Sequence, residues 1–528
     1  MNQKHYNMKE HIGLTAVIFL IITGLAAQQP KSGGERQPPQ TVESRDKPAN
    51  TSIKDEATAS KSSVNEELNS AEIESFVMHA ESAPAEFTAD LLIQLAESGQ
   101  IKDAKRKEDL LVESFYAAAK AKHPFKLLAL PGSAVDSQSG YRSNALRFNL
   151  DGLSLQCRAI KALLALDKQK ARELFSEIKV KLDPLNCEDA LVYDVSCFYE
   201  TIQAIAQTAF STEETRRGEH VYFVENYISK ISSPVQIEPA VKILLPLKTT
   251  DSQLLSLVRT FSAALEKVSK DDRSFSVSWN ATIGPLDELI SRCKQRGVFG
   301  DEIIQSYKIY LIKQLSSSRC ADTASRKEQK ELERNLITQF NDRLRGLAYK
   351  NIPAISEDDI KPAKSEGSAK YEMYWTSPKA KSILSRVRKL RFSSAAKAVD
   401  DLEKQSADWQ SQLSQLMTEL ASWQPEDEKS EEDYFHQKCV IFYGLINTIP
   451  AGTQYDDVLR DFATFVGSSK LQTENPAEWF LHAKTLIDRV NSSKDGERSK
   501  LVDLISYSRS TILYLYVEKQ KLLSPPAK

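Results

Sequence analysis

The sequence has few of the residues that end or bend regular secondary structure. Only 18 of its 528 residues are glycine, about half of the usual share near 7%, and 20 are proline. A chain so poor in turn-forming residues is most simply built from helices.

The short motifs of nucleotide, zinc and serine-hydrolase chemistry are missing as well. No Gly-x-x-x-x-Gly-Lys-Ser/Thr, Gly-x-Gly-x-x-Gly, His-Glu-x-x-His or Gly-x-Ser-x-Gly pattern occurs. The 70 basic and 72 acidic residues give a net charge of −2, so no global field attracts nucleic acid or an acidic surface. We therefore predict no cofactor and no specific nucleic acid recognition, and a partner attracted by charge must use a local patch.

Histidine and cysteine, the main soft metal ligands, are scarce. Among the seven histidines and six cysteines, only His436 and Cys439 lie one helical turn apart. The apolar residues around them indicate a buried helix face, where a lone cysteine usually packs as a small hydrophobe. We predict no metal site.

No Cys-x-x-Cys pair is present, and the first cysteine is Cys157, which excludes a lipid-modified N-terminal cysteine. Cys293 and Cys320 fall at opposite ends of one predicted helix, roughly 24 Å apart at about 1.5 Å per residue, too far to bridge. Cys157 with Cys187 or Cys197 is the pairing we consider for a disulfide. The alternative is a set of buried free thiols.

The N-terminal segment has the layout of a secretory signal. Lys4 and Lys9 precede an apolar run over 12–27 that ends in small residues. The run is shorter than the roughly 20 residues that a membrane-spanning helix needs. We predict cleavage after Ala26 or Ala27 and a periplasmic or extracellular location. The alternative is an uncleaved segment that tethers the chain to the membrane.

Residues 28–69 are rich in Gln, Pro, Ser, Thr, Lys and Glu and almost free of large apolar residues. Such a segment cannot bury enough surface to offset its ordering entropy. We predict a disordered linker, which serves either as a spacer or as a leader remnant without a function of its own.

From residue 70 onward, apolar residues recur at helical spacing. Leu91, Leu92 and Leu95 share a face, with Thr88 as a possible N-cap and Gly99 as a stop. The same pattern predicts helices at about 103–121, 144–166, 168–178, 188–210, 217–230, 251–268, 301–319, 323–348, 378–392, 394–423, 431–448, 455–466, 476–490 and 497–522. Residues 275–290 fit both a strand and a helix, and we favour the helix.

These helices predict an all-α fold of antiparallel pairs in a solenoid-like or two-lobed array. The array is similar to tetratricopeptide and HEAT repeats in architecture only, because no position-by-position repeat is present. We divide the chain into a signal or anchor (1–27), a disordered linker (28–69), a helical repeat-like domain (70–349), a linker (350–372), a C-terminal helical domain (373–523) and a tail (524–528).

A basic stretch beside aromatic residues is the best candidate binding surface. Six basic residues and no acid lie on one predicted helix, and three aromatic residues precede it. Basic and aromatic side chains together can bind phosphate and stack on rings. The alternative is an ordinary solvated helix face, offset by the acidic run at 426–433. The candidate residues are Tyr371, Tyr374, Trp375, Lys379, Lys381, Arg386, Arg388, Lys389 and Arg391.

The loop over 123–142 is the longest insertion that carries Gly, Ser and Pro. Long loops in compact domains are often functional. Asp136, Tyr141 and Arg142 are therefore candidates for the rim of a site, although a simple connector also accounts for the loop.

We expect an exported interaction or scaffold protein with an unidentified protein partner and no catalytic activity. One alternative is a periplasmic or extracellular hydrolase or cell-wall-acting enzyme with a site between helical lobes. Converging carboxylates in a pocket, or a carboxylate beside His123 or His220, would favour it. A second alternative is peripheral binding to an anionic membrane or polyanion through the basic helix.

Overall fold

A computed structural model of the chain describes residues 71–129, 137–186, 190–298, 300–317, 326–346, 351–360, 377–395, 402–427, 430–449, 452–493 and 495–523. The predicted signal, the predicted linker at 28–69 and the tail at 524–528 lie outside these ranges. Residues Ile73–Lys528 form one compact unit.

The described residues are predominantly helical, which confirms the predicted all-α class. The helices are α1 (71–81), α2 (Ala85–Glu97), α3 (Ala104–Ala118), α4 (Gln138–Leu146), α5 (Gly152–Leu163), α6 (Lys168–Glu177), α7 (Ser196–Thr208), α8 (Thr212–Arg217), α9 (Glu219–Ile228), α10 (Ile237–Leu244), α11 (Asp251–Lys267), α12 (Phe275–Gln295), α13 (Asp301–Leu315), α14 (Arg326–Gly346), α15 (Pro378–Ala395), α16 (Leu402–Ser422), α17 (Glu431–Ile446), α18 (Thr453–Ser468), α19 (Leu471–Glu474), α20 (Pro476–Ser492), α21 (Asp495–Ser506) and α22 (Thr511–Leu523). None of these helices is both long and apolar enough to cross a membrane.

Local sequence signals account for many of the helix starts. The side chains of Asp103, Asp151, Asp167 and Thr250 each accept a hydrogen bond from a backbone amide in the first turn that follows. These caps satisfy donors that have no partner inside the helix. The helix predicted over 275–290 is confirmed as α12, with Pro285 inside it.

Two predicted helices in the N-terminal half of the chain differ from those in the structure. The helix expected over 144–166 is two helices, because Asn149 has a positive φ of 57° and Asp151 starts α5 with a new cap. The helix expected over 188–210 is wrong at its start. Leu191–Asp194 forms strand β2, which pairs antiparallel with strand β1 (Lys126–Ala129), and α7 begins only at Ser196. The partner strand lies more than 60 residues away, so local periodicity cannot show the pairing.

The C-terminal helices pack on the N-terminal ones. Helix α20 contacts α4, and α22 contacts α2. The ring of Phe87 lies 5.6 Å from that of Trp479 and 6.1 Å from that of Tyr516. Phe87 and Trp479 are completely buried, so this contact is part of the core. Because this contact sets how the two groups of helices pack, it also determines which of their polar side chains touch.

Candidate functional site

The predicted basic surface lies partly on α15. Its apolar residues Ile383, Leu384, Val387 and Leu390 are buried, and α15 packs on α16 and α17. Because that face is occupied by protein, it is not free to enter a lipid bilayer. Binding through α15 would therefore depend on its charges alone.

The basic residues of α15 differ in their exposure. Lys381, Arg388 and Lys389 are exposed, Lys379 is half-buried, and Arg386 is half-buried and forms an ion pair with Glu419 of α16. One basic residue therefore serves helix packing, and the exposed charges are the ones a ligand could reach. Tyr371, Tyr374, Trp375 and the side chain of Arg391 lie outside the described residues.

The two described candidates from the 123–142 loop lie on α4 and contact the C-terminal helices. Tyr141 is 2% exposed and its hydroxyl donates to the carbonyl of Glu478, with an O to O distance of 2.8 Å. Arg142 forms a 2.7 Å ion pair with Glu432. Asp136 lies outside the described residues. Tyr141 and Arg142 thus attach α4 to α20 and α17.

A carboxylate lies beside His123, which is the arrangement that would favour an enzyme. Oε2 of Glu478 is 3.7 Å from Nε2 of His123, too long for a hydrogen bond, and both atoms are buried without a hydrogen-bond partner. Glu478 raises the pKa of His123 above its usual value, against the opposing effect of burial. The carboxylate of Glu86, which accepts a hydrogen bond from the amide of Lys122, adds to the rise. His220 differs, because it contacts the backbone carbonyl of Lys248.

A second histidine cluster lies next to Tyr141. Nδ1 of His436 is 3.1 Å from Nε2 of His482, and Nδ1 of His482 is 2.9 Å from the hydroxyl of Tyr443. The ring of Tyr141 lies 4.0 Å from that of His436. Burial lowers the pKa of His436 to about 3 and that of His482 well below its usual value. The pair is therefore neutral, with one ring donating a hydrogen bond to the other.

The predicted packing of His436 and Cys439 is consistent with this geometry. Burial raises the pKa of the Cys439 thiol well above its usual value, so the thiol stays protonated and little of the metal-binding thiolate forms. Among the described residues, no three His, Cys, Asp or Glu side chains are grouped so that they could hold a metal ion.

Two cavities differ in character. A small apolar cavity of about 30 Å³ lies between α12, α13 and α14, too small for a ligand. A wide groove of about 490 Å³ is lined by Glu266, Asp301 and Glu302. Asp301 and Glu302 occupy the first turn of α13, where carboxylates complement the helix dipole, and Glu302 also pairs with Arg259 at 3.4 Å. Its carboxylates stabilise the start of α13, and one of them pairs with an arginine, which is not the arrangement of a catalytic acid and base pair.

A tight turn between α21 and α22 presents exposed tyrosines. Tyr507 is 63% exposed and Tyr514 is 52% exposed, and the guanidinium carbon of Arg460 lies 5.8 Å from the ring centre of Tyr507. Arg509, also exposed, has a positive φ of 56°. We call Arg460, Tyr507, Arg509 and Tyr514 the tyrosine turn.

Buried serines hold the backbone of the tyrosine turn. The amide of Ser508 donates to the carbonyl of Ile505 at 2.8 Å, and Oγ of Ser510 accepts from the amide of Leu513 at 3.3 Å. Gly467 of α18 packs so closely that a Cβ there would come 2.4 Å from the carbonyl oxygen of Ser508. The turn therefore has a fixed backbone beneath exposed side chains.

The tyrosine turn corrects one prediction, the single helix over 497–522. Alternating serines at 506, 508 and 510 are a turn signal that outweighs helical periodicity there. The contact between His123 and Glu478 gave no such signal, because the two residues are 355 positions apart.

Comparison of the chain with protein-family models, with curated proteins and with solved structures gives no match.

Proposed function

We propose that this chain is an exported protein that binds a protein partner through the tyrosine turn and acts as an interaction or scaffold module without catalysis of its own. The observation that supports the proposal is a pair of exposed tyrosines beside two arginines on a backbone fixed by buried serines. Tyrosine and arginine are enriched among the residues that contribute most to protein interfaces. A surface that is already ordered loses less entropy on binding.

Charge complementarity indicates the chemistry of the partner. Arg460 and Arg509 place two guanidinium groups at the turn, and Arg460 also pairs with Asp457 at 2.9 Å on the surface. A partner segment with a carboxylate next to an apolar side chain would contact both the guanidinium groups and the rings. We therefore expect an acidic, apolar protein segment as the ligand.

The test is capture of the partner by the tagged full chain, expressed in its own source, followed by affinity measurement with the purified partner. The double variant Tyr507→Ala with Tyr514→Ala should bind at least about tenfold more weakly, a loss of about 1.4 kcal/mol. Tyr222→Ala is the matched control, because Tyr222 is 67% exposed at a distant point of the sequence. Equal binding by the double variant and the control would contradict the proposal.

Export is the second part of the proposal, and the layout of residues 1–27 supports it. N-terminal sequencing of the protein from its source should give a chain that starts at residue 27 or 28. An intact Met1 in a membrane fraction would favour the retained anchor instead, and an intact Met1 in a cytoplasmic fraction would contradict export.

One specific observation supports the hydrolytic alternative. His123 is 28% exposed at its side chain, and its buried Nε2 faces the buried carboxylate of Glu478, so a partly exposed imidazole lies beside a carboxylate. If the protein is an enzyme of this kind, His123→Gln should abolish hydrolysis of cell-wall and peptide substrates by the purified chain, whereas His220→Gln should not. Absence of hydrolysis by the wild type would remove this candidate.

The exposed charges of α15 support the remaining alternative, electrostatic binding to a polyanion. Changing Lys381, Arg388 and Lys389 to Glu should then abolish salt-sensitive binding to heparin and to anionic vesicles. The same change at the exposed residues Lys120, Lys168 and Lys230 controls for net charge. Equal loss in both variants would mean that no specific surface is involved.

A further inference from the structure

Two of the described cysteines lie side by side between packed helices. Cys157 is on α5 and Cys197 is in the first turn of α7, and these helices contact each other. The two thiols are within hydrogen-bonding contact. Oγ of Ser154 lies 3.9 Å from Sγ of Cys197, and the Cys157 thiol also contacts Thr201. Ser154 and Cys157 are three positions apart on α5, and Cys197 and Thr201 are four positions apart on α7. Each pair therefore lies on one face of its helix.

The two thiols differ in access. Cys157 is 1% exposed, whereas Cys197 is half-buried and reachable by a small reagent. Both are free thiols in the structure. The accessible thiol of such a pair can react first with an external disulfide, and the buried thiol can then attack the mixed disulfide that results.

We propose that Cys157 and Cys197 form a disulfide when the chain meets a low-molecular-weight disulfide such as oxidised glutathione. The thiolate of Cys197 attacks the glutathione disulfide, which forms a mixed disulfide and releases one glutathione. The Cys157 thiol then loses its proton and attacks the sulfur of Cys197, which releases the second glutathione. Two protein thiols are oxidised and one glutathione disulfide is reduced to two thiols, so the exchange balances. The proposal concerns the exported protein, but its test in a defined redox buffer does not depend on export.

The experiment equilibrates the purified, folded full chain with reduced or oxidised glutathione, alkylates the remaining thiols and maps the peptides. Trypsin leaves Cys187 and Cys197 in one peptide, residues 182–216, so a protease that cuts after Glu188 is needed to separate them. The expected result is a crosslinked pair of peptides that contain Cys157 and Cys197, in oxidised glutathione only. The buried free thiols Cys293 and Cys439 should remain alkylatable after unfolding.

A matched variant tests the same bond through stability. A disulfide that closes a loop of about 40 residues mainly restricts the unfolded chain, so oxidation should raise the thermal midpoint of the wild type. Cys197→Ser should show no such rise and no crosslink from Cys157. Linkage of Cys157 to Cys187, or a glutathione adduct on Cys197 with Cys157 still free, would overturn the proposal.

Discussion

Two of the polar contacts between the C-terminal helices and the N-terminal ones differ in how completely their charged groups are paired. In the first, Asp90 of α2 is 6% exposed and accepts hydrogen bonds from Tyr516 at 2.5 Å, Arg158 at 2.6 Å and Gln94 at 2.5 Å. The buried carboxylate is therefore surrounded by donors. Such a network fixes one arrangement of the helices around it.

In the second contact, His123 and Glu478 face each other at 3.7 Å with no hydrogen bond at either facing atom. The hydroxyl of Tyr141 donates to the backbone carbonyl of Glu478 and not to its carboxylate, so Oε2 of Glu478 has no hydrogen-bond partner. The Asp90 contact therefore holds the fold, whereas the strength of the contact between His123 and Glu478 depends on whether His123 is protonated.

The largest effect is expected for Asp90→Ala. The change leaves the hydroxyl of Tyr516 buried without its partner. It also removes one of the two carboxylates that pair with Arg158, which is 36% exposed at its side chain and keeps Glu97, so the free energy of unfolding should fall by about 3 kcal/mol. Urea unfolding at pH 7 measures it. Glu97→Ala is the control, because Glu97 also pairs with Arg158 but is 44% exposed at its side chain, and it should cost no more than about 1 kcal/mol. Equal losses would mean that Asp90 does not hold the contact.

The neutral pair of His436 and His482 should make the fold sensitive to acid. Burial lowers the pKa of His436 to about 3, whereas the unfolded residue titrates near 6.5. The unfolded chain binds more protons between these values, so stability is present above about pH 6.5 and falls as the pH drops. One such histidine lowers the free energy of unfolding by about 2 kcal/mol at pH 5 relative to pH 8. His436→Gln should reduce the difference between the two pH values by about that amount. An unchanged pH dependence would show that His436 is protonated in the fold.

Removing one hydroxyl at each contact compares their hydrogen bonds directly. Tyr516→Phe loses a bond to a carboxylate and should cost about 1.5–3 kcal/mol, whereas Tyr141→Phe loses a bond to a backbone carbonyl and should cost about 1 kcal/mol. Both variants keep the ring, so each serves as the packing control for the other. The reverse order of losses in urea unfolding would contradict the comparison.

The smallest effect is expected for His123→Gln, and its pH dependence is opposite to that of His436. Glu478 raises the pKa of His123, so the stabilisation is complete below about pH 6.5 and is lost as the pH rises through the raised pKa. The difference in stability between wild type and variant should therefore be largest at low pH and shrink above neutrality. A difference that is constant across pH would mean that the contact is not ionic.

The sequence predicts the helices well where the information is local. The start of α11 at residue 251 and the apolar face of α15 follow from local patterns. The expected N-cap Thr88 is wrong, because α2 begins at Ala85 after Pro84 and Thr88 is buried inside it, and the cap Asp151 lies within a segment predicted as one continuous helix. The sequence cannot predict strand β2, because a four-residue apolar strand is defined by its distant partner. The pairing of His123 with Glu478 depends on how α20 packs on α4, which no local pattern encodes. The tyrosine turn could have been predicted, because its alternating serines mark a break in the helix.

The claim that the tyrosine turn contacts a protein partner can be tested most directly by photo-crosslinking in the source of the protein. A photoreactive amino acid is placed at position 507 in one chain and at position 222 in another, since both tyrosines there are similarly exposed. We predict a discrete crosslinked protein from position 507 and none from position 222. No adduct from position 507, or the same adducts from both positions, would contradict the account.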